Sequence, residues 1–174
     1  MISKATANME NLRVLGIDPG TATTGWAILE ENNGGIKALA YGHISTSPKK
    51  TDEERLLEIS KDLEKIVKKY HPQEAAVEKL FFFKNQKTVM EVSQARGAIV
   101  LTMSQKGVSL FSYTPLQVKQ AITGYGRAEK RQVQSMIKNI LKLKNIPKPD
   151  DTADAIAIAL CHLNSRKMNN LNKS

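Results

Sequence analysis

The spacing of apolar residues changes several times along the chain, and each change predicts a new element of secondary structure. Three apolar segments precede residue 47, and the NNGG sequence between the second and the third is typical of a hairpin turn. From residue 51 the apolar residues recur every three to four positions, which predicts a helix that Thr51 and Glu54 cap and that Pro72 ends. A second long helix is predicted from about residue 85 to 106, and two or three helices follow the last strand. The predicted strands are residues 12–18, 25–31, 36–46, 74–78 and 108–113.

This order of elements predicts an α/β fold built on a five-stranded mixed sheet. The first three strands form an antiparallel meander, and right-handed crossovers make the last two strands parallel to the first, with helices on both faces. Residues 1–11 are polar and are expected to form a flexible N-terminal segment, and residues 166–174 are expected to form a polar C-terminal tail. We therefore expect a single domain over residues 12–165.

Four acidic residues stand at the ends of predicted elements rather than on solvated helix faces. Asp18 ends the first strand and Glu78 the fourth, and ligands of open sheets collect beyond the carboxyl ends of the strands. Asp151 and Asp154 share one face at the start of the last predicted helix. Asp150 shares that face with Asp154 as well, so the spacing alone does not choose between Asp150 and Asp151.

Such a group of carboxylates has a direct chemical use. Acids gathered around one point repel one another, and a hard cation such as Mg²⁺ or Mn²⁺ neutralises them through oxygen ligands. Paired metal ions held by acids hydrolyse phosphodiester bonds, because one activates water and the other stabilises the leaving oxygen. Taken singly, each acid also has a structural interpretation: Asp18 as a turn residue, Glu78 as a strand end, and Asp151 with Asp154 as a helix cap.

The histidines and the single cysteine are predicted to be structural rather than metal ligands. His43 lies in a predicted strand, His71 precedes a proline that ends a helix, and His162 lies in the last, buried helix. Cys161 lies in the same helix and is expected to fill core space.

The chain is strongly basic, with 26 lysines and arginines against 17 acids, a net charge of 26 − 17 = +9 and a pI of about 9.6. This excess favours a polyanionic partner, with nucleic acid ahead of a membrane surface, because no apolar run is long enough to span a bilayer. A solvated basic surface without a partner is the alternative. One cysteine and a start without a signal-peptide pattern predict a cytoplasmic protein.

Five motifs, taken in order from Leu12 to about Leu163, carry a family resemblance: LGIDPGTATTGWA, VEKLFF, QARGAI, QVKQAITGYGRAEKRQV and DDTADAIAIALCH. The chain resembles the RuvC family of bacterial Holliday-junction resolvases, which have the ribonuclease H-like fold. The resemblance implies a magnesium-dependent homodimeric endodeoxyribonuclease that cuts four-way DNA junctions by symmetric paired nicks in recombination and repair. It also implies two ions in each site, Mn²⁺ as a substitute, and a branch-migration helicase complex as a partner.

The same resemblance assigns the catalytic metal-binding acids. They fall on Asp18, Glu78, Asp151 and Asp154, which favours Asp151 over Asp150. In some members of the family histidine takes the last of these positions, and here Asp154 keeps the four-acid form.

The resemblance also indicates which residues contact DNA. Lys119 and Lys130 match family lysines near the scissile phosphate, where they offset its charge and take part in catalysis. Phe81, the first of three consecutive phenylalanines, matches the aromatic residue that stacks on bases near the junction centre. Core packing is the alternative for this triplet and is favoured for Phe82 and Phe83. Further expected contacts are Lys84, Lys87, Arg127 and Arg131.

The small residues Ala95, Gly97 and Ala98 in the second long helix favour close approach by another helix. Core packing within one subunit and the two-fold interface that the resemblance implies are both compatible with this pattern.

Two functions of other classes compete with the nuclease. Actin-like and sugar-kinase ATPases also end their first strand in Asp-x-Gly, but their two domains need more than 174 residues. A non-catalytic junction-binding protein would use the basic surface and would have no use for the four acids.

Overall fold

A computed structural model of the chain describes residues 11–33, 35–79 and 86–171. Its centre is one five-stranded sheet. The strands are β1 Leu12–Asp18, β2 Thr23–Asn32, β3 Gly35–Ser45, β4 Glu74–Glu78 and β5 Ser109–Tyr113. They lie in the order β3-β2-β1-β4-β5, so β1 is the central strand, between β2 and β4.

The strand directions confirm the predicted mixed sheet. The strand β2 is antiparallel to both β1 and β3, whereas β4 is parallel to β1 and to β5. Ile17 is the partner of Val77 in the parallel pair, so β1 and β4 end at the same edge of the sheet. This edge is where the two strand-end acids meet.

Helices cover both faces of the sheet, as the sequence predicts. The helices are α1 Asp52–Tyr70, α2 Gln86–Gln105, α3 Pro115–Thr123, α4 Lys130–Ile140 and α5 Asp150–Leu171. Leu15 and Ile28 face a core formed with α1 and α2, whereas Val14 and Leu29 face a second core formed with α3, α4 and α5. All four side chains are fully buried, which explains why the strands contain consecutive apolar residues.

The ends of α1 confirm the predicted start and stop signals. Thr51 and Glu54 form a capping box in which each side chain accepts a hydrogen bond from the other residue's main-chain N–H. At the other end His71 adopts a left-handed conformation with φ of 51°, and its N–H donates to the carbonyl of Val67. The helix therefore ends one residue before His71, and Pro72 follows.

The last helix extends beyond the position where the sequence analysis ends the domain. It continues from residue 165 through Leu171, so the expected polar tail begins inside a helix. Arg166 pairs with Glu74 at 3.3 Å and Lys167 with Glu31 at 2.6 Å, which holds this part of α5 against the sheet. The division of the chain at residues 11 and 165 otherwise stays a prediction.

Two glycines allow α5 to lie directly on the sheet. A Cβ atom at Gly16 of β1 would overlap the carbonyl oxygen of Ala155, and one at Gly25 of β2 would overlap the carbonyl oxygen of Asp151. The backbones of helix and strands are therefore closer than side chains would normally permit. Ala155 and Ala159 are fully buried at this contact.

Buried polar residues of α5 and β5 are satisfied within the fold. The Nε2 atom of His162 lies 2.7 Å from Glu74 and its Nδ1 atom lies 2.7 Å from the Tyr113 hydroxyl. Because a carboxylate only accepts, Nε2 carries the proton, and in the neutral ring the Tyr113 hydroxyl donates to Nδ1. His162 and the buried Cys161 are thus structural, as predicted, while His43 is exposed on β3.

Within the described residues, no helix combines the length and the apolar character that a bilayer crossing requires.

Candidate active site

The first two acids lie side by side because their strands are parallel neighbours. Asp18 is the last residue of β1 and Glu78 the last residue of β4, and the residues before them, Ile17 and Val77, are paired. Side chains alternate along a strand, so Asp18 lies on the same face as Val14, which packs in the core under α5. Both acids therefore point to the face of the sheet that carries α5.

The start of α5 brings the other two acids to this edge. Gly25 of β2 is the partner of Asp18 in the antiparallel pair, and the main chain of Asp151 lies directly against Gly25. Asp154 follows one helical turn later on the same side of α5. Asp151 and Asp154 are the second and fifth residues of the helix, so neither directly precedes it as an N-cap residue does.

Asp18 carries the clearest electrostatic sign of this convergence. Its pKa is raised from 3.8 to about 8, first by burial and then by the negative charges of Asp154, Glu78 and Asp151. The positive charge of Lys130 opposes this rise but does not cancel it. The four acids named from the sequence are therefore close enough to act on one another.

The pKa values of two neighbouring acids, Glu78 and Asp154, are raised as well. Burial and the charge of Asp154 raise the pKa of Glu78, although Lys119 and Lys130 counteract them. Burial also raises the pKa of Asp154, against the hydrogen bond from Lys130. A site that holds several carboxyl groups against their preferred ionisation is typical of a functional centre.

Lys130 enters the acid cluster from the first turn of α4. Its Nζ atom lies 2.9 Å from Asp154 and 3.4 Å from Asp150. Burial lowers the pKa of this lysine, but the hydrogen bond and the charge of Asp154 more than offset that effect and raise it. Lys130 is therefore a permanent positive charge beside the acids.

A cleft of about 220 Å³ opens beside the acid cluster, between β4 and the helices α3, α4 and α5. Its charged lining consists of Glu78, Lys119, Lys130 and Asp154, and apolar side chains of the three helices form the remainder. The cleft thus presents two ammonium groups and two carboxylates to one volume. This arrangement suits a phosphate that must be held next to anionic ligands.

The four carboxylates have the donor chemistry that Mg²⁺ or Mn²⁺ prefers, since every candidate ligand is an oxygen. No hydrogen bond to Asp18 or Glu78 from a donor in the described residues compensates their charge. At the same time, no three acidic, histidine or cysteine side chains in the described part of the chain are arranged to hold a metal ion as they stand. Oδ2 of Asp154 accepts a hydrogen bond from Lys130 at 2.9 Å, so a metal ion at this carboxylate would compete with the ammonium group.

The remaining predicted DNA contacts fall into two groups. Arg127 and Arg131 are exposed, at the loop before α4 and in its first turn, and neither lines the cleft. Phe81 and Lys84 lie outside the described residues, and so does the side chain of Lys87 in α2. Their proposed roles stay predictions.

The structure adds residues that the sequence analysis did not assign to the site. Gln134 and Lys148 both donate to Oδ1 of Asp150, at 3.1 Å and 3.0 Å. Asp150, considered above only as an alternative to Asp151, also contacts Lys130, and its charge is not among those that raise the pKa of Asp18. Lys130 and Gln134 are four residues apart and share one face of α4, but this spacing does not indicate that Asp150 faces them.

Known proteins are similar to this chain over nearly its whole length. The family model described as crossover junction endodeoxyribonuclease RuvC matches residues 14–162 of the chain. The chain belongs to the RuvC family. This membership confirms the resemblance found in the motifs, and it decides against an actin-like or sugar-kinase ATPase.

Individual relatives match along nearly their whole length. The chain is 52% identical over 162 residues to the crossover junction endodeoxyribonuclease RuvC of Finegoldia magna, which covers 93% of this chain and 99% of the relative. The structure of Thermus thermophilus RuvC has a TM-score of 0.84 and 34% identity, covering 91% of this chain and 97% of the other. The structure of Thermus thermophilus RuvC in complex with a Holliday junction substrate has a TM-score of 0.82 and 32% identity, covering 90% of this chain and 96% of the other. The ribonuclease H-like fold class is thereby confirmed.

Proposed function

We propose that this protein is a structure-selective endodeoxyribonuclease that resolves four-way DNA junctions in homologous recombination and repair. The observation that supports the proposal best is the convergence of Asp18, Glu78, Asp151 and Asp154 beside a cleft lined by two lysines, in a chain of the RuvC family. Acids alone would suit many metal enzymes, whereas acids next to a basic cleft suit a phosphodiester substrate.

The four acids are the proposed ligands of Mg²⁺, two ions in each site, with Mn²⁺ as a substitute. When bound, such ions supply an activated water and stabilise the leaving oxygen of the phosphodiester. Asp18, between the other acids, is the proposed shared ligand, because its charge is the one that its neighbours disfavour most clearly. Binding of cations relieves this repulsion.

The two lysines of the cleft hold the scissile phosphate in this proposal. Lys119 of α3 and Lys130 of α4 line the cleft together with Glu78 and Asp154. Their ammonium groups offset the phosphate charge and fix its position next to the acids, without reading the base sequence. Arg127 and Arg131, both exposed, extend the basic surface beyond the cleft.

Selectivity for the junction is assigned to residues that follow β4. Phe81 comes three residues after Glu78 in the sequence, and Lys84 and Lys87 follow it. We infer from the family resemblance that Phe81 stacks on unpaired bases at the junction centre while the lysines contact phosphates.

A homodimer is the proposed assembly, formed through α2. Ala95 packs in the core, so core packing explains part of the small-residue pattern. Gly97 lies on the opposite side, where a Cβ atom would meet open space, and Met90 and Leu101 on that side are 66% and 59% exposed. A second copy of this apolar face would cover these residues and place two active sites on two strands of one junction. A branch-migration helicase complex and a cytoplasmic location complete the proposal, on the family resemblance alone.

The proposal is tested by the substitution Asp18→Asn. It removes one ligand charge and leaves the basic surface intact, so we expect junction affinity within about twofold of the wild type and cleavage reduced by at least about a thousandfold. Asp62→Asn, which removes the partner of Lys65 on α1, is the control and should cleave normally. Affinity is measured by fluorescence anisotropy in EDTA and cleavage under single-turnover conditions in Mg²⁺. Cleavage at the normal rate by Asp18→Asn would contradict the metal-site assignment.

The same experiment separates the nuclease from a non-catalytic junction-binding protein. Binding without cleavage by the wild type in Mg²⁺ or Mn²⁺ would favour the binding protein.

A further inference from the structure

Asp150 makes contacts that its neighbours in the acid cluster do not make. One of its oxygens, Oδ2, lies 3.4 Å from the ammonium group of Lys130. The other, Oδ1, accepts a hydrogen bond from Gln134 at 3.1 Å and from Lys148 at 3.0 Å. Two helices and the segment between them therefore meet at this single carboxylate.

The position of Asp150 does not depend on Lys130. Gln134 is only 7% exposed, so the amide that anchors Asp150 is itself fixed by packing between α4 and α5. Asp150 and Asp154 are four residues apart on α5, and Lys130 and Gln134 are four residues apart on α4. The two pairs face each other, and the ammonium of Lys130 lies between the two carboxylates.

A conflict arises when Asp154 serves as a metal ligand. Oδ2 of Asp154 accepts a hydrogen bond from the ammonium group at 2.9 Å, so a divalent cation that binds this carboxylate competes with Lys130 for its negative charge. The cation also repels the ammonium group, which weakens this contact. The Lys130 side chain is 51% exposed and has four rotatable bonds, so without another anionic partner it would move freely in solvent.

We propose that Asp150 is a positioning residue that keeps the ammonium group of Lys130 at the cleft while Asp154 binds metal. The proposal rests on the proposed function, because it assumes that Asp154 is a ligand and that Lys130 contacts the scissile phosphate. Asp150 acts through Lys130 and contacts neither metal nor substrate. It is anchored by Gln134 and Lys148, so it stays in place when Lys130 exchanges partners.

Metal binding to the DNA-free protein gives a readout that does not depend on cleavage. With Asp150→Asn, Asp154 becomes the remaining acidic partner of Lys130 among the described residues, and a metal ion competes with the full charge of the ammonium group for it. We expect the affinity for Mn²⁺, measured by electron paramagnetic resonance, to fall by about fivefold in this variant. In the Lys130→Ala background the same substitution should change the affinity by less than about twofold, because no ammonium is left to compete.

Cleavage provides the second readout. Under single-turnover conditions in saturating Mg²⁺, Asp150→Asn should lower the rate constant by about tenfold with little change in junction affinity. In the Lys130→Ala background it should have no further effect. Asp62→Asn, which breaks an ion pair of 2.8 Å on α1, is the charge-matched control and should change neither readout.

Each outcome of the double-mutant cycle decides the proposal. A loss of Mn²⁺ affinity that is equally large with and without Lys130 would make Asp150 a direct ligand and overturn the proposal. Unchanged Mn²⁺ affinity in both backgrounds would also overturn it. If the wild type fails to cleave junctions, the proposed function fails, whereas the Mn²⁺ cycle still reports on the link between Asp150 and Lys130.

Discussion

At the scale of a single residue, the ionised carboxyl group of Asp18 is unfavourable for the stability of the metal-free protein, although it is the proposed shared metal ligand. Burial and three neighbouring carboxylates raise its pKa from 3.8 to about 8. Between these two values the unfolded chain has lost the proton and the folded chain keeps it, so the folded state binds more protons. The stability of the metal-free protein therefore falls as the pH rises through this interval and levels off above about 8.

Removing this charge should stabilise the metal-free protein. In EDTA at pH 8.5 we expect Asp18→Asn to gain roughly 2 kcal/mol, which corresponds to a melting temperature several degrees higher. At pH 5 the gain should be smaller, because the wild-type carboxyl is then protonated in the folded state.

Differential scanning calorimetry at the two pH values measures this difference directly. Saturating Mg²⁺ should reduce or reverse it, since the ion binds the wild-type carboxylate and not the amide. A variant that melts at or below the wild-type temperature in EDTA at pH 8.5 would show that Asp18 is not destabilised by its neighbours.

At this scale the sequence predicts which acids lie close together and leaves their other contacts open. Asp18 and Glu78 could be named because strand ends are visible in the apolar pattern. The choice of Asp151 over Asp150 needed the family resemblance, since both share a face with Asp154. The contact of Asp150 with Lys130 joins residues 20 positions apart on different helices, and no local pattern predicts it.

At the scale of elements, the position of α5 depends on two strand residues that have no side chains. Gly16 and Gly25 have no side chains, and the carbonyl groups of Ala155 and Asp151 take the space in which a Cβ atom would lie. The position of Asp151 at the active-site edge thus depends on a glycine in a different strand.

The substitution Gly25→Ala should separate α5 from β2. The added methyl group meets main-chain atoms, which cannot rotate away, so we expect a loss of about 2–4 kcal/mol in the free energy of unfolding and weaker Mn²⁺ binding. Gly97→Ala is the control, because a Cβ atom there meets open space and alanine favours the helix by about 0.5–1 kcal/mol. Urea unfolding at a concentration where the protein is monomeric compares the two. Equal stability of Gly25→Ala and the wild type would contradict the close contact.

The elements themselves were largely predictable, and the exceptions have physical causes. The five strands and the capping box of α1 follow from apolar spacing and local hydrogen bonding, which the sequence displays directly. The end of α5 could not be predicted in this way, because its last turns are polar and are held by Glu74 and Glu31, which are distant in sequence. From the sequence, Gly16 and Gly25 cannot be told from ordinary strand glycines, because the helix that lies against them is distant in the chain.

At the scale of the whole molecule, the exposed face of α2 is the surface on which the proposed dimer depends. Met90, Gln94, Gly97 and Leu101 follow one another at spacings of four and three residues and are all exposed. Ala95 and Ile99 on the other side are fully buried in the core. The outer face of the helix therefore exposes two large apolar side chains, Met90 and Leu101, that do not pack in the subunit core.

A charge on this face should prevent dimer formation. We expect Leu101→Arg to sediment as a monomer and to lose most paired nicking, because each monomer can cut only one strand at a time. Leu57→Arg on α1 is the matched control, since Leu57 is 54% exposed and Leu101 59%. Sedimentation equilibrium and a cruciform plasmid, which distinguishes single nicks from linear product, provide the two measurements. If both variants sediment alike, the α2 face is not the interface.

The central claim concerns the substrate of the whole molecule. Purified protein is mixed with a four-way junction or with a duplex of equal length, each in Mg²⁺ and in EDTA, and the cleavage rates are compared. The account predicts rapid cutting of the junction in Mg²⁺ at symmetric positions in two opposing strands, at least about a hundredfold faster than cutting of the duplex, and no cutting in EDTA. Equal cutting of junction and duplex, or cutting of the junction in EDTA, would contradict it.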